Sequence, residues 1–241
     1  MQALGPIFTH GLRKDGAMAT CLILGASRGI GRELAHQYAA VGERVIATVR
    51  REQDGRQLAA DCARVLLMDL AHDDTAAGLQ RELAGERVDL AIISAGVGGP
   101  SSEGLDAPGP AEFDAVMRTN VLVSMRLIPV LASIMSDAGG KLVVLSSRLG
   151  SIGLAANASY WLYRASKAAL NSVLKSASIE LGPRGIVCMS LHPGWVRTDM
   201  GGAHADLSVE ESVSSMRRVI AAANRSHNGR FLNYNGEQLE W

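Results

Sequence analysis

The sequence predicts an α/β fold, a doubly wound parallel sheet of about seven strands with helices on both faces. Three observations predict it. Short apolar runs alternate with longer helical patterns along the chain. Most of the runs are continuously apolar, as strands covered on both faces are. A repeated strand–helix alternation is satisfied by parallel strands joined through right-handed crossovers.

The expected strands are 21–24, 44–49, 65–68, 88–93, 141–145, 186–191 and 230–234. After the first strand, Ile30, Leu34, Ala35 and Tyr38 share one helix face. The longest helix carries Leu170, Val173, Leu174, Ala177 and Leu181 on one side, runs without Gly or Pro from 160, and stops at Gly182-Pro183. The irregular stretch 96–110 follows a strand and is read as a loop at the carboxyl edge of the sheet, where such sheets bind ligands. The length, 241 residues, is ~1.6 average domains. With no linker tract and no fixed repeat, one domain over residues 18–241 is expected. Residues 1–17 carry four punctuating Gly and Pro residues, no periodicity and no apolar signal core, and are expected to be a disordered leader.

Composition narrows the function. Apolar residues are 47% and charged residues 20%, which argues against a disordered chain. Lys plus Arg equals Asp plus Glu at 24 each, so the basic excess of a nucleic-acid binder is missing. Cys21, Cys62 and Cys188 lack metal-ligand spacing, so no metal is expected, and so sparse a set suits a reducing compartment. The longest apolar run, 121–135, is short for a membrane span and contains Arg126 and Pro129. A cytoplasmic protein with no membrane and no nucleic-acid partner is the expectation.

The first strand runs into Gly25-Ala26-Ser27-Arg28-Gly29-Ile30-Gly31 and then a helix. Glycines there permit a sharp turn and close backbone approach to a pyrophosphate at the helix N-terminus, as in Rossmann-type sheets. The spacing is GxxxGxG rather than GxGxxG, and a ligand-free tight turn is the competing reading. The same residues spell GxSxG, which leaves a serine hydrolase with Ser27 as nucleophile and His192 as base as an alternative. About 20 residues on, where an NAD site usually carries an acid, the second strand ends at Arg50-Arg51. Arg50, with Arg28, suits a 2′-phosphate through forked charge-assisted bonds, so NADP(H) is the expected cofactor.

Tyr163 and Lys167 are four residues apart on the long helix and share a face. A lysine cation at roughly 5 Å in an effective dielectric near 20 stabilises a phenolate by on the order of 3 kcal/mol, or about two pKa units. That brings a tyrosine within reach of proton exchange near neutrality. Upstream, the strand 141–145 ends in hydroxyls, Ser146 and Ser147, with Ser151 close behind.

Together these features resemble the short-chain dehydrogenase/reductase superfamily over essentially all of 18–241. The run from Ser146 to Ile152, the run from Tyr163 to Asn171, and His192-Pro193-Gly194-Trp195-Val196-Arg197-Thr198-Asp199-Met200-Gly201 look most like the C-factor and sniffer-like carbonyl reductases, as does the ending from Gly229 to Trp241. The resemblance implies Ser147, Tyr163 and Lys167 as catalytic residues and Asn120 as the holder of a water in a proton relay. It implies adenine contact at Asp69, with Leu70 beside it, backbone contacts from Ser94, Ala95 and Gly96, and nicotinamide and pyrophosphate contacts from Pro193, Gly194, Val196 and Thr198. Ser94 stands where the family usually has Asn. Asp69 as a turn cap, Asn120 as a surface amide and Ser146 in place of Ser147 stay open. Tyr160 is read as packing or loop surface, and His192 as structural. The implied activity is NADPH-dependent reduction of a carbonyl to an alcohol, by a homodimer or homotetramer, on a small uncharged substrate bordered by 96–110, 152–159 and 201–208. A second expectation is an NADP(H)-binding signalling or regulatory protein with little turnover.

Overall fold

The computed structural model describes residues 18–100 and 106–241. The strands are β1 (Thr20–Leu24), β2 (Arg44–Val49), β3 (Arg64–Leu67), β4 (Leu90–Ile93), β5 (Lys141–Leu145), β6 (Val187–His192) and β7 (Arg230–Asn233). The helices are α1 (Gly29–Ala40), α2 (Glu52–Leu58), α3 (Thr75–Glu82), α4 (Pro110–Met117), α5 (Val123–Ile134), α6 (Trp161–Leu181) and α7 (Val209–Ala222). The sheet order is β3-β2-β1-β4-β5-β6-β7, with every neighbouring pair parallel. This is the doubly wound Rossmann-type sheet the sequence predicts. The order reverses between β1 and β4, and a ligand crevice forms at such a switch point.

Burial explains the uninterrupted apolar runs. Alternate residues of each central strand enter opposite cores. Leu22, Leu24, Ile93, Leu142 and Val144 pack against Leu127, Leu131, Leu170 and Leu174 of α5 and α6. Ile23, Val45, Ile92, Val143 and Met189 pack with Leu34, Ala35 and Tyr38 of α1 and Val213, Met216 and Ile220 of α7.

The strand ends differ by one or two residues from the sequence reading, and the reasons are local. Val88 belongs to an isolated bridge with Met135 rather than to β4. Tyr234 already belongs to the turn after β7. The helical run Pro110–Ile134, with a mean hydropathy of 1.4 over an 18-residue stretch, is long and apolar enough by composition to cross a membrane, which corrects the expectation that no run reaches that length. It joins α4 to α5 through a π-helical turn, Arg118–Leu122, and the sequence reading stopped short because the polar residues of that turn interrupt the apolar pattern. Val116, Val121, Val123, Leu127 and Leu131 on this run are buried. The expected leader 1–17 and the middle of the 96–110 loop lie outside the described residues.

Candidate active site

A cleft of about 520 Å³ opens at the carboxyl ends of the strands. Its floor is the glycine loop. Gly25 has φ +94, and the Gly25 amide donates to Thr48 Oγ1 at 2.9 Å, so β2 cradles the turn. A Cβ on Gly31 would lie 2.1 Å from the Gly25 carbonyl oxygen, which fixes that position as glycine. The N-terminus of α1 has no side-chain cap and no acid in its first turn. Its free amides therefore face the cleft beside a backbone with no Cβ in the way, and these features fit a pyrophosphate. Gly25, Ser27, Arg28, Gly29, Ile30 and Gly31 all line the cleft.

The arginines separate. Arg50 lines the cleft and forms no ion pair with another described residue. Arg51 is turned onto Asp54, with nitrogen–oxygen distances of 3.0 and 3.1 Å. Arg28 reaches across the cleft mouth to Asp199 at 2.5 Å. The cation set at the end of β2 thus fits a 2′-phosphate through Arg50.

Asp69, Leu70, Ser94, Ala95, Gly96, Pro193 and Thr198 also line the cleft. Asp69 Oδ1 accepts from the Ala71 amide at 3.1 Å, so its turn-capping role is present together with its place in the wall. Gly194 and Val196 sit behind the wall rather than on it. Gly194 has φ +85, and a Cβ there would meet Leu207 at 2.5 Å. Val196 is buried and bridges Leu207. Their role is to close the excursion between β6 and α7, which the Ser208–Glu211 capping box then anchors.

Tyr163 and Lys167 enter the cleft from the first turns of α6. Lys167 Nζ lies 5.7 Å from the Tyr163 ring centroid and donates to the Leu145 carbonyl at 2.9 Å. The Ser147 hydroxyl stands beside the Tyr163 phenol, which it draws down, and accepts from the Leu149 amide at 3.2 Å. Ser146 lines the cleft, but its buried hydroxyl has no hydrogen-bond partner among the described residues. Gly150 packs on the backbone of Lys167, where a Cβ would come within 2.8 Å. The short turn after β5 is thereby locked against α6.

Asn120 is not a surface amide. It is 1% exposed within the π turn. Its Oδ1 accepts from the Val97 amide at 2.8 Å, and its Nδ2 donates to the Val97 carbonyl and to Ser166 Oγ, each at 2.9 Å. It stands one layer behind the cleft, bracing the segment after β4.

One electrostatic expectation is corrected. Lys167 was expected to pull the phenol down. In the chain without cofactor, burial pushes the Tyr163 phenol up, opposed by the Ser147 hydrogen bond. Burial also draws Lys167 down to about 8. The ammonium is aimed at Leu145 rather than at the phenol, so desolvation outweighs attraction. The hydrolase alternative finds no geometry. Ser27 Oγ accepts from the Arg50 amide at 3.1 Å, and the buried His192 Nδ1 has no partner among the described residues. Tyr160 sits at φ +57, 45% exposed, while the Arg164 side chain goes to Ser159 and Asn157 instead.

Sequence reasoning missed several wall residues. Thr48, Val97, Thr119, Leu145, Asp199 and Met200 line the cleft. Asp199 and Met200 lie in the quoted 192–201 run and Val97 in the 96–110 loop expected to border the substrate; for Thr119, only the loop–helix packing brings it in.

The family model for short chain dehydrogenases matches residues 19–207, and the chain belongs to that family. Among relatives, it is 39% identical over 158 residues to the C-signal protein of Myxococcus xanthus, covering 64% of this chain and 93% of that one. Among solved structures, a short-chain dehydrogenase/reductase of Burkholderia multivorans with bound NADP superposes with TM-score 0.86 at 32% identity, covering 92% and 99% of the two chains. The carbonyl reductase Sniffer of Drosophila melanogaster superposes with TM-score 0.83 at 29% identity, covering 93% and 100%. The chain is thus similar over nearly its whole length to proteins that include a carbonyl reductase.

Proposed function

We propose that this protein reduces a small carbonyl compound to an alcohol with NADPH. The observation that carries the reading is the convergence of Tyr163 and Lys167 at the same cleft as the glycine loop and Arg50, with Ser147 beside the Tyr163 phenol. The nicotinamide, when bound, supplies the hydride that the carbonyl carbon accepts. Ser147 orients the carbonyl oxygen. Tyr163 donates the proton to that oxygen as it becomes an alkoxide. Its raised phenol pKa keeps it protonated at neutral pH, which suits a donor in the reductive direction. Lys167 holds the nicotinamide ribose and, once charged, opposes the burial that raises the phenol. Asn120 keeps the 97 segment in register behind them. The NADP bound by the Burkholderia relative and the cleft-facing Arg50 both support NADPH over NADH.

The substrate wall is apolar. Val97, Leu145 and Met200 line the cleft near Tyr163, and Met200 is 55% exposed. An uncharged ketone, aldehyde or quinone fits such a wall. NADPH oxidation against quinones, dicarbonyls and aromatic aldehydes tests the reading. Tyr163→Phe is expected to lose turnover by at least ~10³-fold while NADPH still binds, and Tyr160→Phe is expected to stay near wild type. The reverse pattern would reassign the proton donor.

The likeness to the C-signal protein favours a second reading, an NADP(H)-binding signalling protein. Tight NADPH binding with no turnover of any carbonyl would select it.

A further inference from the structure

The 193–200 segment follows β6, two strands beyond β4, yet it reaches back over the crevice between β1 and β4. On one side it meets the turn that follows β1. Asp199 Oδ2 accepts from Arg28 Nη1 at 2.5 Å, and a Cβ on Gly29 would lie 3.4 Å from the Thr198 methyl. On the other side it meets the segment that follows β4, where a Cβ on Gly98 would lie 3.5 Å from Met200 Cγ. Arg28, Gly29, Thr198, Asp199 and Met200 all line the cleft. Residues 198–200 therefore span the crevice from one wall to the other. The Arg28 and Asp199 side chains are 66% and 74% exposed, which puts their pair on the solvent side of the cleft, at its mouth.

The span is a preformed turn. Thr198 Oγ1 accepts from the Gly201 amide at 3.1 Å, the Thr198 carbonyl accepts from the Gly202 amide at 2.9 Å, and the Trp195 indole donates to the Gly201 carbonyl at 2.8 Å. Its root is tied to the approach to α7, where Arg197 donates to the Ala205 and Asp206 carbonyls at 2.9 and 3.1 Å. These bonds set the shape of the turn, and none of them reaches the glycine loop. The Thr198 and Met200 contacts are apolar and carry no direction. The Arg28–Asp199 pair crosses to the glycine loop with both charge and direction. Arg28 also immediately precedes α1, whose uncapped amides fit a pyrophosphate.

We infer that Asp199 is a positioning residue: acting through Arg28, it latches the 198–200 turn to the glycine loop across the cleft mouth, and this latch opens each time the dinucleotide enters or leaves. The inference rests on the NADPH reading of the cleft. A latch that closes over the empty and the filled cleft alike slows entry and release together and leaves affinity nearly unchanged.

The test follows NADPH binding, and its release into excess oxidised cofactor, by stopped-flow fluorescence on the full chain. Wild type, Asp199→Asn and Asp199→Glu are compared at ionic strengths of about 0.01 M and about 1 M, where charges are screened over about 30 and about 3 Å. At low salt, Asp199→Asn should release NADPH about two- to fivefold faster than wild type, the span of an exposed ion pair. Its melting temperature should stay within about 4 °C of wild type. Asp199→Glu keeps the charge and should release at close to the wild-type rate. At high salt the wild-type and Asp199→Asn rates should converge, because screening removes the latch from wild type. The sign of the change separates a latch from a simple field effect. Without a latch, removing a negative charge beside an anionic ligand slows release and tightens binding. Slower release from Asp199→Asn would therefore overturn the inference and mark Asp199 as a charge that withholds Arg28 from the cofactor's phosphates. Equal release rates at low salt would overturn it as well, with NADPH binding itself intact. If wild type binds no NADPH, the cofactor reading fails, and the latch fails with it.

Discussion

Lys167 sits 4% exposed with its ammonium on the Leu145 carbonyl, and burial draws its pKa from 10.5 to about 8. The unfolded chain keeps that proton up to about pH 10.5, whereas the folded chain releases it above about 8. The unfolded state therefore binds more protons between these values, and stability rises with pH across the window. Below it, the buried charge costs the fold about 3 kcal/mol. Lys167→Met removes the charge and one hydrogen bond, for a net gain of about 1–2 kcal/mol at pH 7 and ~2–8 °C in melting temperature. The gain should vanish near the upper end of the window in thermal melts run across pH, while turnover is lost at every pH. His192 behaves in the same sense at lower pH. Burial, then Arg148, holds it down to about 4 from 6.5, so acid destabilises the fold as pH falls through that range. In catalysis, the reductive rate should be flat from pH 6 to about 8 and fall above it as Lys167 loses its proton. The spacing of Tyr163 and Lys167 was legible in the sequence. The sign of their pKa changes was not, because it depends on how deeply α6 is buried, and spacing carries no depth.

The turn from β1 into α1 is the element on which cofactor binding depends. Gly31→Ala places a Cβ against the Gly25 carbonyl, a contact backbone cannot relieve cheaply, and should cost ~1–3 kcal/mol of stability and abolish NADPH binding. Denaturant unfolding and fluorescence titration check the two effects separately. Arg50→Ala should weaken NADPH by on the order of tenfold to a hundredfold and leave NADH nearly unchanged, since only the 2′-phosphate contact is lost. Equal losses for both cofactors would place Arg50 elsewhere than at that phosphate. The glycines, the strand before them and the helix after them could all be read from sequence. That Arg50 faces the cleft while its neighbour is taken by Asp54 could not, because both stand at a strand end where alternation has stopped. The π turn of 118–122 was equally hidden. It buries Asn120 against Val97 and Ser166 through contacts made by loops distant in sequence.

Across the molecule, the reversal of strand order between β1 and β4 opens one crevice, and both halves of the chain supply it. The N-terminal half brings the glycine loop, Arg50 and Asp69. The C-terminal half brings Tyr163, Lys167 and the 193–200 segment, with Ser147 beside the Tyr163 phenol. The topology followed from the strand–helix alternation, because buried parallel strands admit few connections. The fold-back of 237–241 was not legible in that way, since it is an antiparallel return outside the parallel pattern, made by backbone hydrogen bonds that side-chain periodicity does not encode. In the proposed reaction the two halves act together, hydride from one side and a proton from the other. NADPH oxidation with a panel of quinones, dicarbonyls and aromatic aldehydes, run on wild type and Tyr163→Phe together, measures that union. Turnover by wild type that disappears in Tyr163→Phe, with NADPH binding retained, is the predicted result. Turnover that survives in Tyr163→Phe, or none in wild type despite bound NADPH, would contradict it.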